Sequence, residues 1–231
     1  MKQTLLALII LLLAASCSED NSPNTPTDTA PRVAELFPLG LEYEWTYRRT
    51  MQFYLVDKID MQYVTTRVTE ILDSIPDVVD EHRRALPGPF YIIEPGYTYY
   101  RYDGNALYTG AVGWVGPVRY GPFEILRGSQ QFGESWLVQD WELTDVVQDM
   151  RTYNTVFTLH GMEKVTVPAG TFNCYYFTWD PDREYLGTYH LYYARHVGRV
   201  KRVVAWFEGN TPDTTRLITE ELDSFNLVFA R

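Results

Sequence analysis

Residues Glu163–Trp179 read E-K-V-T-V-P-A-G-T-F-N-C-Y-Y-F-T-W, two strand-forming runs on either side of Pro168-Ala169-Gly170. Pro presets φ for the second position of a type I turn and Gly suits the fourth, so the chain is expected to reverse at Val167–Gly170. Cross-strand partners share a face, and that chooses the register. A three-residue loop, Pro168–Gly170, would set Val167 against Thr171 and Val165 against Asn173, mixing apolar with polar. A four-residue loop, Pro168–Thr171, sets Val167 against Phe172 and Val165 against Cys174. Only the second gives one apolar side, and four-residue loops built on a type I turn are common in hairpins. The expected inward face is therefore Val165, Val167, Phe172 and Cys174, with Cys174 a buried, inert thiol.

The segments around this hairpin repeat its design. Aromatic residues make up 15% of the 231 residues, with Tyr 18, Phe 11 and Trp 6, and Tyr and Thr recur in alternating runs. That composition favours strands over helices. Leu41–Leu55 alternates, with Leu41, Tyr43, Trp45, Tyr47, Met51, Phe53 and Leu55 on one face, as in a long half-buried strand. Ile59, Met61 and Tyr63 follow a loop at Val56–Lys58 and are expected opposite Leu55, Phe53 and Met51. The apolar positions then change phase to Val64, Val68 and Leu72. A β-bulge near Val64-Thr65 would restore pairing of Tyr47 with Val68 and Tyr43 with Leu72.

Further strands are expected at Phe90–Ile93, Trp136–Leu143, Arg151–His160, Thr188–Ala194, Arg199–Phe207 and Thr215–Phe225, with a hairpin about Asp103-Gly104 within Tyr97–Tyr108. Pro76–Gly88 is the one helix-like interval. Gly110–Gly133 carries six glycines with Trp114, Tyr120 and Phe123 between them. It is expected to be a long irregular loop, of the kind that carries function. Gly40–Trp45 and Gly133–Trp136 both place Trp early in a strand behind Gly. The fold class is all-β and mainly antiparallel: a curved sheet, half-barrel or open barrel with at most one or two short helices.

The N-terminus sets the location. Lys2 precedes an apolar run, Leu5–Leu13, too short to span a bilayer, and Ala14-Ala15-Ser16-Cys17 follows. This is the layout of a secretory signal. Small residues before a cysteine resemble the lipobox of bacterial lipoproteins, which implies lipidation of Cys17 and cleavage before it. Ala14 stands where Leu is commonest in that motif. The alternative is ordinary signal cleavage at an A-x-A-like site, which leaves Cys17 a free thiol. Residues 1–16 are thus read as a signal peptide, 17–35 as the lipidated Cys and a polar tether, and 36–231 as one β domain. Ser18–Pro31 is too polar and Pro-rich to fold, and extended it could reach about 45 Å. Ser18 is not the Asp that retains enterobacterial lipoproteins at the inner membrane, which by that family rule implies the outer membrane. Glu19-Asp20 resembles the acidic surface-export signal of Bacteroidetes lipoproteins, so the domain is expected in the periplasm or facing the surface. The mature chain then keeps only Cys174, and no intrachain disulfide can form.

Three elements carry a wider resemblance: F-P-L-G-L-E-Y-E-W-T-Y at Phe37–Tyr47, V-T-V-P-A-G-T-F at Val165–Phe172, and Y-Y-A-R-H-V-G-R-V at Tyr192–Val200. Together they resemble a broad set of uncharacterised bacterial envelope lipoproteins, whose architecture is similar in shape to the curved sheets of the Lol-type lipoprotein carriers. Those families share no agreed catalytic residues, and a likeness of shape does not fix function.

No G-x-S-x-G, H-E-x-x-H, C-x-x-C, Walker or Rossmann pattern is present. His82, His160, His190 and His196 are scattered singly, and Asp180–Glu184 lacks the Gly and terminal Glu of a calcium loop. The reading is of a non-enzyme without metal or cofactor. A net charge of −10 argues against nucleic acid. Arg195, Arg199, Lys201 and Arg202 form the only basic cluster. It is either an anion-binding edge, with Arg195, Arg199 and Lys201 as the candidate residues, or a solvated strand face paired with nearby acids. The aromatic excess and expected curvature suggest a hydrophobic or lipid-like ligand held by Trp45 and Tyr47 of the sheet and by Trp114, Tyr120 and Phe123 of the Gly-rich stretch. The alternative is a scaffold or accessory protein of an envelope complex, which predicts a filled interior and an exposed apolar patch.

Overall fold

The alternating pattern resolves into a single 13-stranded antiparallel sheet. The computed structural model describes residues 32–75, 86–95, 98–104, 106–111, 118–120, 123–127, 131–144, 149–181, 186–207 and 214–227, and for 110–111, 118–120, 123–127, 139–144, 149–153 and 186 the backbone alone. In chain order these hold a one-turn helix α1 (Val33–Leu36), β1 (Glu44–Phe53), β2 (Lys58–Leu72), β3 (Phe90–Glu94), β4 (Thr98–Asp103), β5 (Ala106–Ala111), β6 (Val118–Tyr120) and β7 (Phe123–Arg127). Then come β8 (Ser135–Thr144), β9 (Asp149–Val167), β10 (Gly170–Pro181), β11 (Leu186–Ala194), β12 (Gly198–Phe207) and β13 (Thr214–Asn226). The spatial order is β6-β8-β9-β10-β11-β12-β13-β1-β2-β3-β4-β5-β7, and the two edge strands do not pair, so the sheet is open.

The sheet is also strongly curved. Strands β8 and β5 lie ten steps apart in that order, about 48 Å in a flat sheet at the usual strand spacing. Yet Leu107 of β5 and Trp136 of β8 belong to one buried cluster, with Phe157, Phe177 and Tyr193 between them. The interior is therefore the face on which both halves of the sheet meet. α1 lies against it: Val33 and Leu36 are buried in the same cluster, the His196 N–H donates to the Glu35 carbonyl, and the Tyr102 hydroxyl donates to that of Phe37. Buried residues thus begin ahead of Leu36.

The central hairpin forms with a shorter loop than expected. Val167 pairs with Gly170, Val165 with Phe172 and Glu163 with Cys174, so only Pro168-Ala169 connects the strands. Gly170 has φ +136, a conformation that side chains disfavour, and this lets the reversal close without the extra two loop residues. A slip of two residues preserves facing. Val165, Val167 and Cys174 are accordingly buried and Phe172 half-buried.

β1 and β2 pair without a bulge, Phe53 with Lys58, Tyr47 with Val64 and Trp45 with Thr66, around a turn at Tyr54–Asp57. This corrects the expected pairing. Ile59, Met61 and Tyr63 do not lie inward; they are 65%, 63% and 60% exposed. The change of phase is a change of face, because Val64 and Val68 point the other way. The bulges lie elsewhere, in β1 against β13 at Thr46/Tyr47 and in β2 against β3 at Val68/Glu70. Leu41 and Leu55 are exposed as well.

Three smaller differences follow from local chemistry. In the β4–β5 hairpin Asp103 is still paired, with Ala106, so the turn lies one residue later, with Gly104 at φ +59. The Gly-rich stretch is not one irregular loop, since the glycine-free runs Val118–Tyr120 and Phe123–Arg127 are strands. Arg151–His160 and the first arm of the central hairpin form one 19-residue strand, β9, with Gly161 at φ +155 beside a bulge. Most of the helix-like interval, residues 76–85, lies outside the described residues.

Candidate functional site

Three like-charged doublets sit on three neighbouring strands: Lys201-Arg202 on β12, Glu220-Glu221 on β13 and Arg48-Arg49 on β1. Adjacent residues in a strand point to opposite faces, so each doublet contributes one charge to each side. Register aligns them, Lys201 with Glu221 and Glu221 with Arg48, Arg202 with Glu220 and Glu220 with Arg49. On the outer face Glu221 receives Arg48 at 2.7 Å and Lys201 at 3.1 Å. On the inner face Glu220 Oε1 receives Arg49 at 2.6 Å and Arg202 at 2.8 Å.

A third guanidinium joins the inner set. Arg199 and Arg202 are three residues apart and would face oppositely in a regular strand. The register shift between Tyr192/Tyr193 pairs Lys201 with Tyr192 but Arg199 with Tyr193, which leaves Val200 as the extra residue of a bulge. Bulges re-aim side chains in this way. Arg199 Nη2 consequently donates to Glu220 Oε2 at 2.9 Å. Its guanidinium also lies 4.7 Å from the centre of the Tyr47 ring, and the Tyr47 hydroxyl donates to the Arg199 carbonyl. Beside it, the Trp45 indole donates to the Val197 carbonyl at 2.6 Å. Gly198, at φ +99, leaves room for that indole, since a Cβ there would stand 3.2 Å from Trp45 Nε1.

These residues line a cleft of about 190 Å³, walled on its apolar side by Phe37, Trp45, Ile93 and Tyr100. Its one carboxylate is the 2% exposed Glu220, while Arg199, Arg202 and Arg49 are 20%, 25% and 29% exposed. Burial pushes the Glu220 carboxyl up, but Arg199, Arg202 and Arg49 outweigh it and hold the group below its ordinary value. Burial also works against the charge on Arg199, where Tyr47 and Glu220 work for it and prevail. Arg202 is lowered, by burial and by the neighbouring Arg199. Burial pushes the Tyr47 phenol up to about 12 and raises that of Tyr100, so both are neutral hydrogen-bonding groups at neutral pH. Among the described residues, Arg199 Nε and Arg202 Nε are buried without a hydrogen-bond partner.

The residues singled out from sequence are thus dispersed. Trp45, Tyr47 and Arg199 come together in the cleft. Lys201 lies on the opposite face with Glu221. Arg195 stands apart, 3.6 Å from Glu35 and over the Tyr175 ring. Trp114 lies outside the described residues, and Tyr120 and Phe123 fall in β6 and β7 at the two edges, where only the backbone is described. His160 bonds Thr178 and His190 bonds the Tyr176 hydroxyl, both away from the cleft. Arg49, Tyr100 and Glu220 were missing from the expected site, and Arg202 was placed in the basic cluster but not among its candidate residues. The doublets Arg48-Arg49 and Glu220-Glu221 were the signal that could have found two of them, since each must send one charge inward.

No protein-family model matches the chain, and comparison with curated proteins gives no match. Solved structures similar to it include an exported protein with a YmcC-like fold from Bacteroides fragilis, at 12% identity and a TM-score of 0.47 over 83% of this chain and 99% of that one. A lipoprotein from Parabacteroides distasonis aligns at 14% identity and 0.40, over 83% and 98%. The hypothetical lipoprotein YmcC of Escherichia coli aligns at 10% and 0.35, over 82% and 92%. Likenesses of this strength carry no information about chemistry at the cleft.

Proposed function

We propose that the chain is a lipid-anchored protein of the bacterial cell envelope, held in the outer membrane through Cys17, whose sheet interior binds a hydrophobic or lipid-like ligand without catalysing a reaction. The anchor rests on the signal and lipobox pattern at Leu5–Cys17. An anchor of two or more acyl chains is stable, at roughly 0.8 kcal/mol per buried methylene. The binding half rests on a single observation: beside the buried clusters of the described residues the curved sheet leaves a cleft bounded by Trp45, Tyr47 and Tyr100. Ligand sites are typically concave and combine an apolar wall with convergent polar groups, and here the aromatic wall faces an equally extensive polar one. The lining polar groups suit binding rather than proton transfer, since Glu220 is committed to three arginines and the tyrosines are held neutral.

Native mass spectrometry of the chain isolated from its own membranes tests the binding half, and a co-purified apolar or amphiphilic mass displaced by Trp45→Ala is the expected result. A scaffold in an envelope complex is the second reading, favoured by the exposed stripe Leu55, Ile59, Met61 and Tyr63. In-cell crosslinking from Met61 that captures no partner protein would rule against it.

A further inference from the structure

We infer that the cleft is a head-group site, in which Arg199 and Arg202 receive a phosphate-type dianion while the aromatic wall holds the apolar part next to it. The inference rests on the cleft being a ligand site and specifies what that site takes.

Charge is the first ground. Three guanidiniums share one carboxylate on the inner face, which leaves two positive charges in excess, and the cleft holds no second acid among its lining residues. Guanidiniums gathered on one buried carboxylate repel one another, and an added anion would relieve that repulsion. A phosphate monoester carries about −1.5 to −2 at neutral pH, which matches the excess.

Geometry is the second. The Val200 bulge turns Arg199 inward beside Arg202, although a regular strand would separate them. Each keeps a buried Nε–H with no partner among the described residues, while its bridge to Glu220 uses Nη2. Planar guanidiniums with spare donors are suited to tetrahedral oxyanions, and point-charge lysines are less so. The lysine of this cluster, Lys201, is the one the bulge leaves outside.

Size is the third. At about 190 Å³ the cleft is smaller than the roughly 300–1,000 Å³ of sites that enclose a whole ligand. It has room for a head group and the first part of a chain, against Phe37, Trp45 and Ile93.

Isothermal titration of the full chain with inorganic phosphate, hexyl phosphate and hexan-1-ol tests this. The expected result is binding of both phosphates, weakened at least tenfold by Arg202→Gln and by Arg199→Gln and unchanged by Lys201→Gln on the other face. Hexyl phosphate binding tenfold tighter than phosphate identifies a lipid head group as the source, whereas equal affinity identifies a free phosphate and overturns the role given to the aromatic wall. Arg202→Gln is also expected to melt no lower than the parent, because it relieves repulsion. A variant that folds poorly is replaced by Arg202→Lys, which keeps the charge but not the fork, and at least threefold weaker binding is then expected. Hexan-1-ol binding without either phosphate would overturn the inference and leave the hydrophobic-ligand reading standing. Binding of none of the three defeats both, and phosphate binding indifferent to Arg199 and Arg202 overturns the head-group site.

Discussion

Glu220 holds the inner face together because it is the anion that three arginines share. Replacing it by Gln leaves those guanidiniums without compensation, and removing one partner from a buried ion pair costs about 3–5 kcal/mol. Urea unfolding of Glu220→Gln is expected to show a loss of that order. The same carboxyl is held below its ordinary value when folded. Its contribution is therefore complete above the unfolded carboxylate pKa of about 4.3 and is lost as pH falls through the folded value. Stability measured from pH 6 down to pH 2 should fall in the parent chain and fall less steeply in Glu220→Gln. Gly198 makes a second single-residue test. Its φ of +99 is one that side chains rarely adopt, and a Cβ would crowd Trp45. Gly198→Ala is expected to cost about 1–3 kcal/mol in the same unfolding experiment, with loss of Trp45 fluorescence as a local readout. At this scale the sequence was partly legible. Arg199 stood out as part of a basic cluster, but a strand pattern alone does not reveal a bulge, and only the bulge decides which of Arg199 and Lys201 faces inward.

Hairpins of this protein were easier to recognise than to register. The Pro168-Ala169-Gly170 turn and the Gly104 turn both close two residues away from the expected pairing, yet neither displacement changes a face, because strand facing repeats every two residues. The buried set Val165, Val167 and Cys174 consequently survived an incorrect register. In β2 the expectation failed for a different reason. Ile59, Met61 and Tyr63 alternate as an inward face would, but they lie on the outside of the β1–β2 hairpin. An apolar stripe has the same period whichever side it covers. Exposed positions contribute little to folding, usually within about 0.5 kcal/mol. The double change Ile59→Thr and Met61→Thr is therefore expected to leave the melting temperature unaltered in a thermal melt followed by circular dichroism. A large drop in stability would mean that the stripe is buried in the folded protein.

At the level of the whole molecule, stability comes from the curled sheet itself. The chain has 2 cysteines, and Cys174 is free and buried, its thiol pushed up to about 12 by burial and then by Glu163. Under the lipidation proposed for Cys17, no partner is left with which Cys174 could form an intrachain disulfide. Melting is expected to be the same with and without dithiothreitol, and Cys174 should react with a thiol reagent only on unfolding. Fast labelling in the native state would contradict its burial. Composition and alternation alone determined that the chain is all-β and that Cys174 lies inside, because these depend on local periodicity and short contiguous patterns. The Val165–Phe172 turn belongs to that class, and reading outward from it identified most of the strands. Tertiary structure alone decided that strands β5 and β8 meet across a common core, that α1 packs against that core, and that Arg49, Arg199 and Arg202 converge on Glu220. Those contacts join residues up to 171 apart in the chain, and their closeness follows from accumulated twist, bulges and registers that no local window of sequence contains.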